Sequence, residues 1–333
     1  MLSTRKNKKK TILFLTKGEH AASTRYRSLN YFPFLQNIGW QPCHLTATNT
    51  LPARIAILWK ARRYDVVVIL RKTFSSFFAI LLRLCSKRLV FDFDDAIFCN
   101  SDGSPSKQRA KRFKKMVGHC DQIWAGNSYL AKKSMHYNSS VIILPTSLSP
   151  EKYLINPSKN NDFLDIVWIG SSSTKRYLES VLDLFESTIE SVPNLRLKIV
   201  ADFDLKTQRL PTLSIPWSQT KEAEALASSH IGIAPMSNDS WTKGKCGLKV
   251  LQYMVAGLPV ISSPAGVNKD IVEHGTNGFL AEGPADWIDA MKKLSCNPQL
   301  RQKMGEAGRK KVLNHYSIEA TFKKMSNGLD QLL

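Results

Sequence analysis

Short apolar runs, rich in β-branched residues and almost free of polar breaks, alternate with segments of helical length along the whole chain. They occur at residues 11–16 (TILFLT), 65–70 (DVVVIL), 88–93 (RLVFDF), 122–125 (QIWA) and 141–144 (VIIL). A strand covered on both faces needs apolar side chains on both, so it loses the in–out alternation of a half-exposed strand. Between these runs, residues 25–35, 52–62, 74–84 and 107–117 have helical length and spacing. Pro33 is expected to kink or end the first of them. Strands separated by helices build a doubly wound, parallel α/β sheet.

Residues 147–162 (SLSPEKYLINPSKNND) carry no periodicity and read as a linker. A second series follows, with strands expected at 164–169, 195–200, 231–236 and 260–262. Helices are expected at 175–190, 221–228, 245–255, 286–294, 299–313 and 318–332. No repeat with a period of roughly 20–50 residues is visible, which excludes a solenoid. The 333 residues thus divide into two Rossmann-like domains, 1–150 and 151–333, facing a central cleft. The last helix is free to pack back on the first domain.

Charge separates the two. Residues 1–150 hold 25 basic and 7 acidic side chains, against 22 and 20 in residues 151–333. A basic lobe beside a nearly neutral one points to an anionic surface, polymer or lipid. Basic residues from Lys60 to Lys115 alternate with an apolar stretch containing Phe74, Phe77, Phe78 and Leu82, the pattern of an interface helix on anionic lipid. The run at residues 73–82 stops at Arg83, short of the ~18 apolar residues that a spanning helix needs. The basic run at residues 5–10 and the six apolar residues after it are too short for a signal peptide. Six scattered cysteines, without a CxxC pair or Cys/His spacing, read as reduced thiols of a cytoplasmic protein.

The most informative stretch is residues 241–262, WTKGKCGLKVLQYMVAGLPVIS. Gly244 and Gly247 fall at an expected strand-to-helix junction, with Lys245 and Lys249 just inside the helix. Free N–H groups and partial positive charge make such a helix start an anion site. Lys245, Lys249 and Gln252 recur at four and three residues and can share one face. The competing reading is a tight turn followed by solvated lysines. Gly170, Ser171, Ser172 and Thr174 (GSSST) follow a strand and precede a helix, which suits phosphate contact as well as helix capping. Glu222 reads as a helix-surface residue.

In the first domain, His20 lies in a strand-to-helix loop, and Arg25 and Arg27 open the next helix. Arginines oppose the dipole there and so call for an anion, phosphate above all. Asp92, Asp94 and Asp95 close a strand. Asp94 or Asp95 is a carboxylate at the ligand-binding edge that can orient a bound hydroxyl or act as base, with an N-cap by Asp95 as the alternative. Asn127, after the next strand, is a weaker candidate.

Four motifs occur in order in the second domain: GSSST at residues 170–174, GKCGLKVLQYM at 244–254, GLPV at 257–260 and GTNGFL at 275–280. Together they resemble the donor-binding signature of GT-B glycosyltransferases, specifically glycosyltransferase family 4 and its clan. STRYR, FDFDDA and GNSYL in the first domain resemble the group more weakly. The resemblance implies a nucleotide-sugar donor on the second domain and an acceptor on the first. It also implies metal-independent transfer with no cofactor. Family members carry two glutamates on the donor helix, one toward the sugar and one on the ribose. Gly244 and Gln252 stand at those positions here. Gln252 can still hydrogen-bond a ribose diol, and Asp239 or Asn238 is placed to take over the sugar contact.

The resulting expectation is a glycosyltransferase acting on a lipid-linked or cell-surface glycan acceptor, in polysaccharide or lipopolysaccharide biosynthesis. It would be cytoplasmic and peripherally bound to the inner face of the membrane. A basic nucleic-acid-binding protein is the alternative from another class, though no RRM, KH, helix-turn-helix or zinc pattern is present. A GT-B protein that binds donor without turnover is the third.

Overall fold

The computed structural model describes residues 9–48, 50–155, 159 and 162–333. Most of the basic run at residues 5–10, and residues 156–158 and 160–161 of the expected linker, lie outside the described residues. The chain forms two compact units. One runs to Ser147 and takes in Thr321–Leu333; the other is Leu148–Ala320.

The first unit contains β1 (Lys10–Thr16), α1 (Ala22–Arg27), α2 (Phe32–Asn37), β2 (Trp40–Thr46), α3 (Leu51–Ala61), β3 (Val66–Leu70) and α4 (Ser76–Cys85). It continues with β4 (Arg88–Phe93), α5 (Lys107–His119), β5 (Gln122–Ala125), α6 (Ser128–Met135) and β6 (Val141–Ile143). Its six strands, all parallel, lie in the order β2-β1-β3-β4-β5-β6. β3 and β5 are buried at every residue, as continuous apolar runs require.

The second unit contains β7 (Leu164–Ile169), α7 (Lys175–Glu179), α8 (Leu182–Thr188), β8 (Leu195–Ala201), β9 (Thr212–Pro216), α9 (Gln219–Ala227) and β10 (Ile231–Ala234). Next come α10 (Leu248–Val255), β11 (Val260–Ser262), α11 (Asn268–Ile271), β12 (Gly278–Leu280), α12 (Pro284–Cys296) and α13 (Pro298–His315). The order is β12-β11-β10-β7-β8-β9, again all parallel. Its core joins Ile166, Trp168, Leu197, Ile199 and Ile233 of the sheet to Leu178, Phe185, Trp287 and Met291 of the helices.

The last helix, α14 (Ile318–Leu332), spans the division between the units. Within the first unit it is fastened at Tyr31. That hydroxyl meets Ser147 Oγ at 2.7 Å and Thr321 Oγ1 at 2.9 Å, and the Tyr31 and Phe34 rings pack against Phe322.

Three strands escape the sequence pattern, and all are edge strands or shorter than four residues. β2 (WQPCHLT) is only partly buried and carries Pro42, whose missing N–H is tolerated at a sheet edge. β9 (TLSIP) is the other half-exposed edge, and β12 (GFL) reads as a turn in sequence. Two expected helices are broken. The first ends at Arg27, and Pro33 opens α2 instead of ending the helix before it, since Pro fits a first turn. The segment 175–190 divides into α7 and α8 around Ser180 and Val181.

The early end of α1 changes the meaning of its arginines. Arg25 and Arg27 lie in the last turn, where the dipole favours a cation, and not at the start. Arg27 is 1% exposed, and its anion is internal. Nε donates to both Asp92 oxygens, at 2.9 and 3.0 Å, Nη2 pairs with Oδ1, and Nη1 donates to the Leu144 carbonyl at 3.0 Å. Burial pushes Asp92 up to about 6 while Arg27 pulls against it. The phosphate role expected of Arg27 is therefore replaced by a strut tying α1 to β4.

In the same unit, α3 packs against α4. Phe74, Phe78 and Leu82 are buried, so of the expected stripe only Phe77 faces water. A different stripe is exposed: Leu51, Ile55 and Trp59 on α3, four residues apart, with Phe77, Ile80 and Leu84 on α4.

Removing one partner of the Arg27–Asp92 pair leaves an uncompensated buried charge. Arg27→Met should lower stability by ~3–5 kcal/mol, and adding Asp92→Leu should recover most of that loss. Urea unfolding followed by far-UV circular dichroism checks both. A single-variant loss below ~1 kcal/mol would remove the strut from the fold's supports.

Candidate functional site

Open parallel sheets take ligands at the carboxyl ends of their strands, where neighbouring strands connect in opposite directions. In the second unit that point lies between β7 and β10, because the chain builds β8 and β9 on one side of β7 and β10 to β12 on the other. The turn carrying Gly170, Ser171, Ser172 and Thr174 leaves β7 there. A Cβ on Gly170 would stand 2.1 Å from the Trp168 ring, so glycine is what lets this ring lie under the turn.

Most polar groups of the turn hold the turn itself. The Ser171 N–H donates to Thr174 Oγ1 at 3.2 Å, and Ser171 Oγ meets Ser173 Oγ at 2.8 Å. The Ser172 N–H and hydroxyl both reach Asp202 Oδ1, at 2.7 and 3.0 Å. Phosphate contact through these N–H groups would require those bonds to be exchanged. Thr174 is connected differently: its Oγ1 also accepts from Lys249 Nζ at 3.4 Å.

Lys249 is the pivotal side chain. Its ammonium stands 4.0 Å from the centre of the Trp168 ring, a cation–π contact. Burial first, and the charge of Lys245 second, push its pKa down to about 7. Among the described residues no carboxylate pairs with it. Lys245 itself lies 4.6 Å above the Trp241 ring. The helix expected from residue 245 starts later: residues Thr242–Gly244 form a 3-10 turn, Lys245 is extended, and α10 begins at Leu248. Lys245 therefore precedes the helix instead of sharing its face with Lys249 and Gln252. Gly247 sets the junction, with φ of +70° and a neighbour, Ile271 Cδ1, 2.4 Å from where a Cβ would be. No side chain caps α10, so its first N–H groups stay open beside two lysines.

The QYM part of the motif locks α10 in register. Tyr253 lies over Gly232 of β10, where a Cβ would come within 2.3 Å of its ring, and its hydroxyl accepts the Ile169 N–H at 2.9 Å. Gln252 is 3% exposed and turns away from the turn after β7. Its Nε2 donates to Glu222 Oε1 at 2.5 Å and lies 3.3 Å from the Tyr153 hydroxyl. Tyr153 also donates to Glu222 Oε1 at 2.6 Å, and Trp217 Nε1 donates to Oε2 at 2.7 Å. Glu222, read from sequence as a helix-surface residue, is 6% exposed and central to a buried network. Only the apolar residues that flank it on α9, Ala223, Ala225 and Leu226, could have signalled this.

Asp239 acts on its own loop. Oδ1 accepts the N–H groups of Trp241 and Thr242 at 2.8 and 2.9 Å, and Oδ2 accepts from Ser237 at 2.6 Å. Burial opposes its charge, but these donors hold its pKa below the ordinary value. It shapes the 3-10 turn containing buried Gly244, while the neighbouring Asn238 is exposed.

In the first unit, Asp94 and Asp95 follow β4 and both turn to Arg71: its Nε is 3.1 Å from Asp94 Oδ1, and its Nη2 pairs with Asp95 Oδ2. Arg71 has φ of +57°, the one non-glycine residue among those described in the left-handed region. The N-cap alternative for Asp95 fails, because the next helix starts only at Lys107. Asn127 is a cap: its Oδ1 accepts the Leu130 N–H at 2.9 Å, and the residue is 4% exposed. His20 is exposed on its loop, and Arg25 lies half-buried with its guanidinium 5.5 Å from the Tyr26 ring. Among the described residues, no group of three or more His, Cys, Asp or Glu could hold a metal ion.

Residues 151–311 match the family model for glycosyl transferases group 1. Sulfoquinovosyl transferase SQD2 of Arabidopsis thaliana is 28% identical over 163 residues, which are 45% of this chain and 31% of that protein. The chain thus spans about a third of that relative's length. Anabaena Alr3699/HepE in complex with UDP and glucose matches with a TM-score of 0.73, over 97% of this chain and all of that one, at 12% identity. The lipopolysaccharide outer core galactosyltransferase WaaB, in its apo form, matches with a TM-score of 0.68 over 97% of this chain and 100% of that one, at 13% identity. At such identities the likeness is one of fold. The fold is GT-B, and the likeness to glycosyl transferases group 1 is carried by residues 151–311.

Proposed function

We propose that this protein moves a sugar from a nucleotide-sugar donor to a lipid-linked or cell-surface glycan acceptor. The observation that carries the reading is Lys249, a half-buried ammonium without a carboxylate partner among the described residues, beside the turn after β7. Lys245 and the open start of α10 add positive character next to it. A diphosphate leaving group is stabilised by donors and charges fixed in advance, and these supply them without a metal. Asp94 and Asp95, held on Arg71, are the carboxylates offered to the acceptor hydroxyl. HepE, which carries UDP and glucose, and WaaB, named for lipopolysaccharide outer core, support the donor class and a cell-envelope setting.

Peripheral membrane binding belongs to the same reading. No helix among the described residues is long and apolar enough to cross a membrane. Leu51, Ile55, Trp59, Phe77 and Leu84 are each more than half exposed, and Ile80 lies with them. Lys60, Arg62, Arg63, Arg83 and Lys87 stand on or beside the same two helices. An apolar stripe edged by cations suits an anionic lipid surface, where each well-placed cation contributes about 1 kcal/mol.

Two measurements test these points. A diphosphate beside Lys249 favours its charged form, so binding should take up a proton above neutral pH. UDP affinity should fall by up to ~tenfold per pH unit between pH 7.5 and 9, and Lys249→Met should flatten that slope. Calorimetry in buffers of different ionisation enthalpy reads the proton directly. Affinity independent of pH would take Lys249 out of the donor site. For the membrane, Trp59 fluorescence should shift to the blue on phosphatidylglycerol vesicles and not on neutral ones. The Phe77→Glu/Leu84→Glu variant should stay in solution, and unaltered co-sedimentation of that variant would clear α3 and α4 of the role.

A further inference from the structure

The sheet of the first unit has its own switch point, between β1 and β3, because β2 lies on one side of β1 and the later strands on the other. Lys17 follows β1 at this edge, and Arg71 and Lys72 follow β3. Arg54, from the first turn of α3, joins them. Arg71 is occupied by Asp94 and Asp95. The other three are not matched in this way: among the described residues, Lys17, Arg54 and Lys72 form no ion pair. Lys72 turns its ammonium to the Ala47 carbonyl, and Arg54 Nε is buried without a hydrogen-bond partner.

These cations are positioned by apolar contacts instead of by counter-charges. The Lys72 ammonium stands 5.5 Å from the Phe74 ring, and the Arg54 guanidinium 5.4 Å from the Phe78 ring. The two rings meet edge-on at 4.9 Å, so one buried aromatic pair carries both cations. Burial, then Arg54 and Lys17, lower the pKa of Lys72. Burial and Arg71 lower that of Lys17, against the pull of Asp94. Like charges gathered at a ligand-binding edge, with an unsatisfied guanidinium nitrogen among them, are completed by an anion.

We infer that Lys17, Arg54 and Lys72 form a subsite for a phosphoryl group bearing two or more negative charges, a phosphomonoester or diphosphate, carried by the acceptor. The assignment to an acceptor rests on the transfer reading above; the anion site itself does not. A lone carboxylate would leave two of the three cations uncompensated. A tetrahedral phosphate accepts both an arginine fork and ammonium donors. The phosphate role that the sequence suggests for Arg25 and Arg27 is thereby reassigned to the loops after β1 and β3 and the first turn of α3.

Calorimetry on the full chain, with UDP present to occupy the donor side, tests this. Inorganic pyrophosphate should still bind, at one equivalent. The Lys17→Gln/Arg54→Gln/Lys72→Gln variant should lose at least ~30-fold in that affinity and keep its UDP affinity. Should the triple variant fold poorly, Lys17→Gln alone, on the loop after β1, should weaken pyrophosphate by about 3–10-fold. Geranyl diphosphate binding tenfold tighter than pyrophosphate would assign a lipid-borne phosphate, and equal binding a free or sugar-borne one. Pyrophosphate affinity unchanged in both variants, or abolished by Lys249→Ala instead, would overturn the subsite. Failure of UDP to bind would instead count against the donor reading, with pyrophosphate and the same variants still deciding this one.

Discussion

A half-buried lysine with no carboxylate partner among the described residues organises the second unit. Lys249 can sit against Trp168 because Gly170 has no side chain to displace that ring. It is aimed at the turn after β7 because α10 cannot rotate. Tyr253 presses on Gly232 and accepts the last N–H of β7. Two glycines and a tyrosine thus fix one ammonium beside one hydroxyl, Thr174 Oγ1. Desolvation that depresses a lysine also makes it respond strongly to an arriving anion, since little solvent screens the pair.

The first unit distributes its excess positive charge by a different rule. Some arginines serve the fold: Arg27 is buried on Asp92, and Arg71, in a left-handed conformation, gathers Asp94 and Asp95. These pairs consume the acidic residues at the end of β4. With seven acidic side chains among the first 150 residues, few remain to neutralise the cations nearby. Lys17, Arg54 and Lys72 are left over at the sheet edge, and the lysines and arginines of α3 and α4 at the surface. A large net charge is therefore less informative than its division into struts and unmatched groups.

The same distinction explains what the sequence could reveal. Interior strands such as β3 and β4 are legible because burial on both faces leaves only one solution, a continuous apolar run. Edge strands β2 and β9 face the core on one side only, so polar residues and prolines enter and the pattern dissolves. Spacing does not mark short-range breaks in a helix, and at α1 such a break puts two arginines in the last turn, where the dipole favours them. Spacing brought Lys249 and Gln252 onto one helix correctly, but no local pattern links Gln252 to Glu222, thirty residues earlier. Asp92 with Arg27 is a contact of the same kind, across sixty-five residues. Pairings made by tertiary packing leave no periodicity to read.

Gln252 shows why a neutral residue suits a position where the resemblance to glycosyltransferases calls for an acid. A glutamate there would bring a negative charge onto α10, three residues after Lys249. That charge would oppose a diphosphate arriving at the start of the same helix. The glutamate would also place a second carboxylate against Glu222, whose Oε1 is 2.5 Å from the present amide. Two carboxylates so close cannot both ionise without a large penalty. The amide avoids both conflicts by donating to Glu222, which Tyr153 and Trp217 already solvate with neutral donors. The acidic group has not vanished from this part of the fold. It sits one helix away on α9, satisfied by neutral donors, and the charged form of Lys249 is left to be matched by an incoming anion.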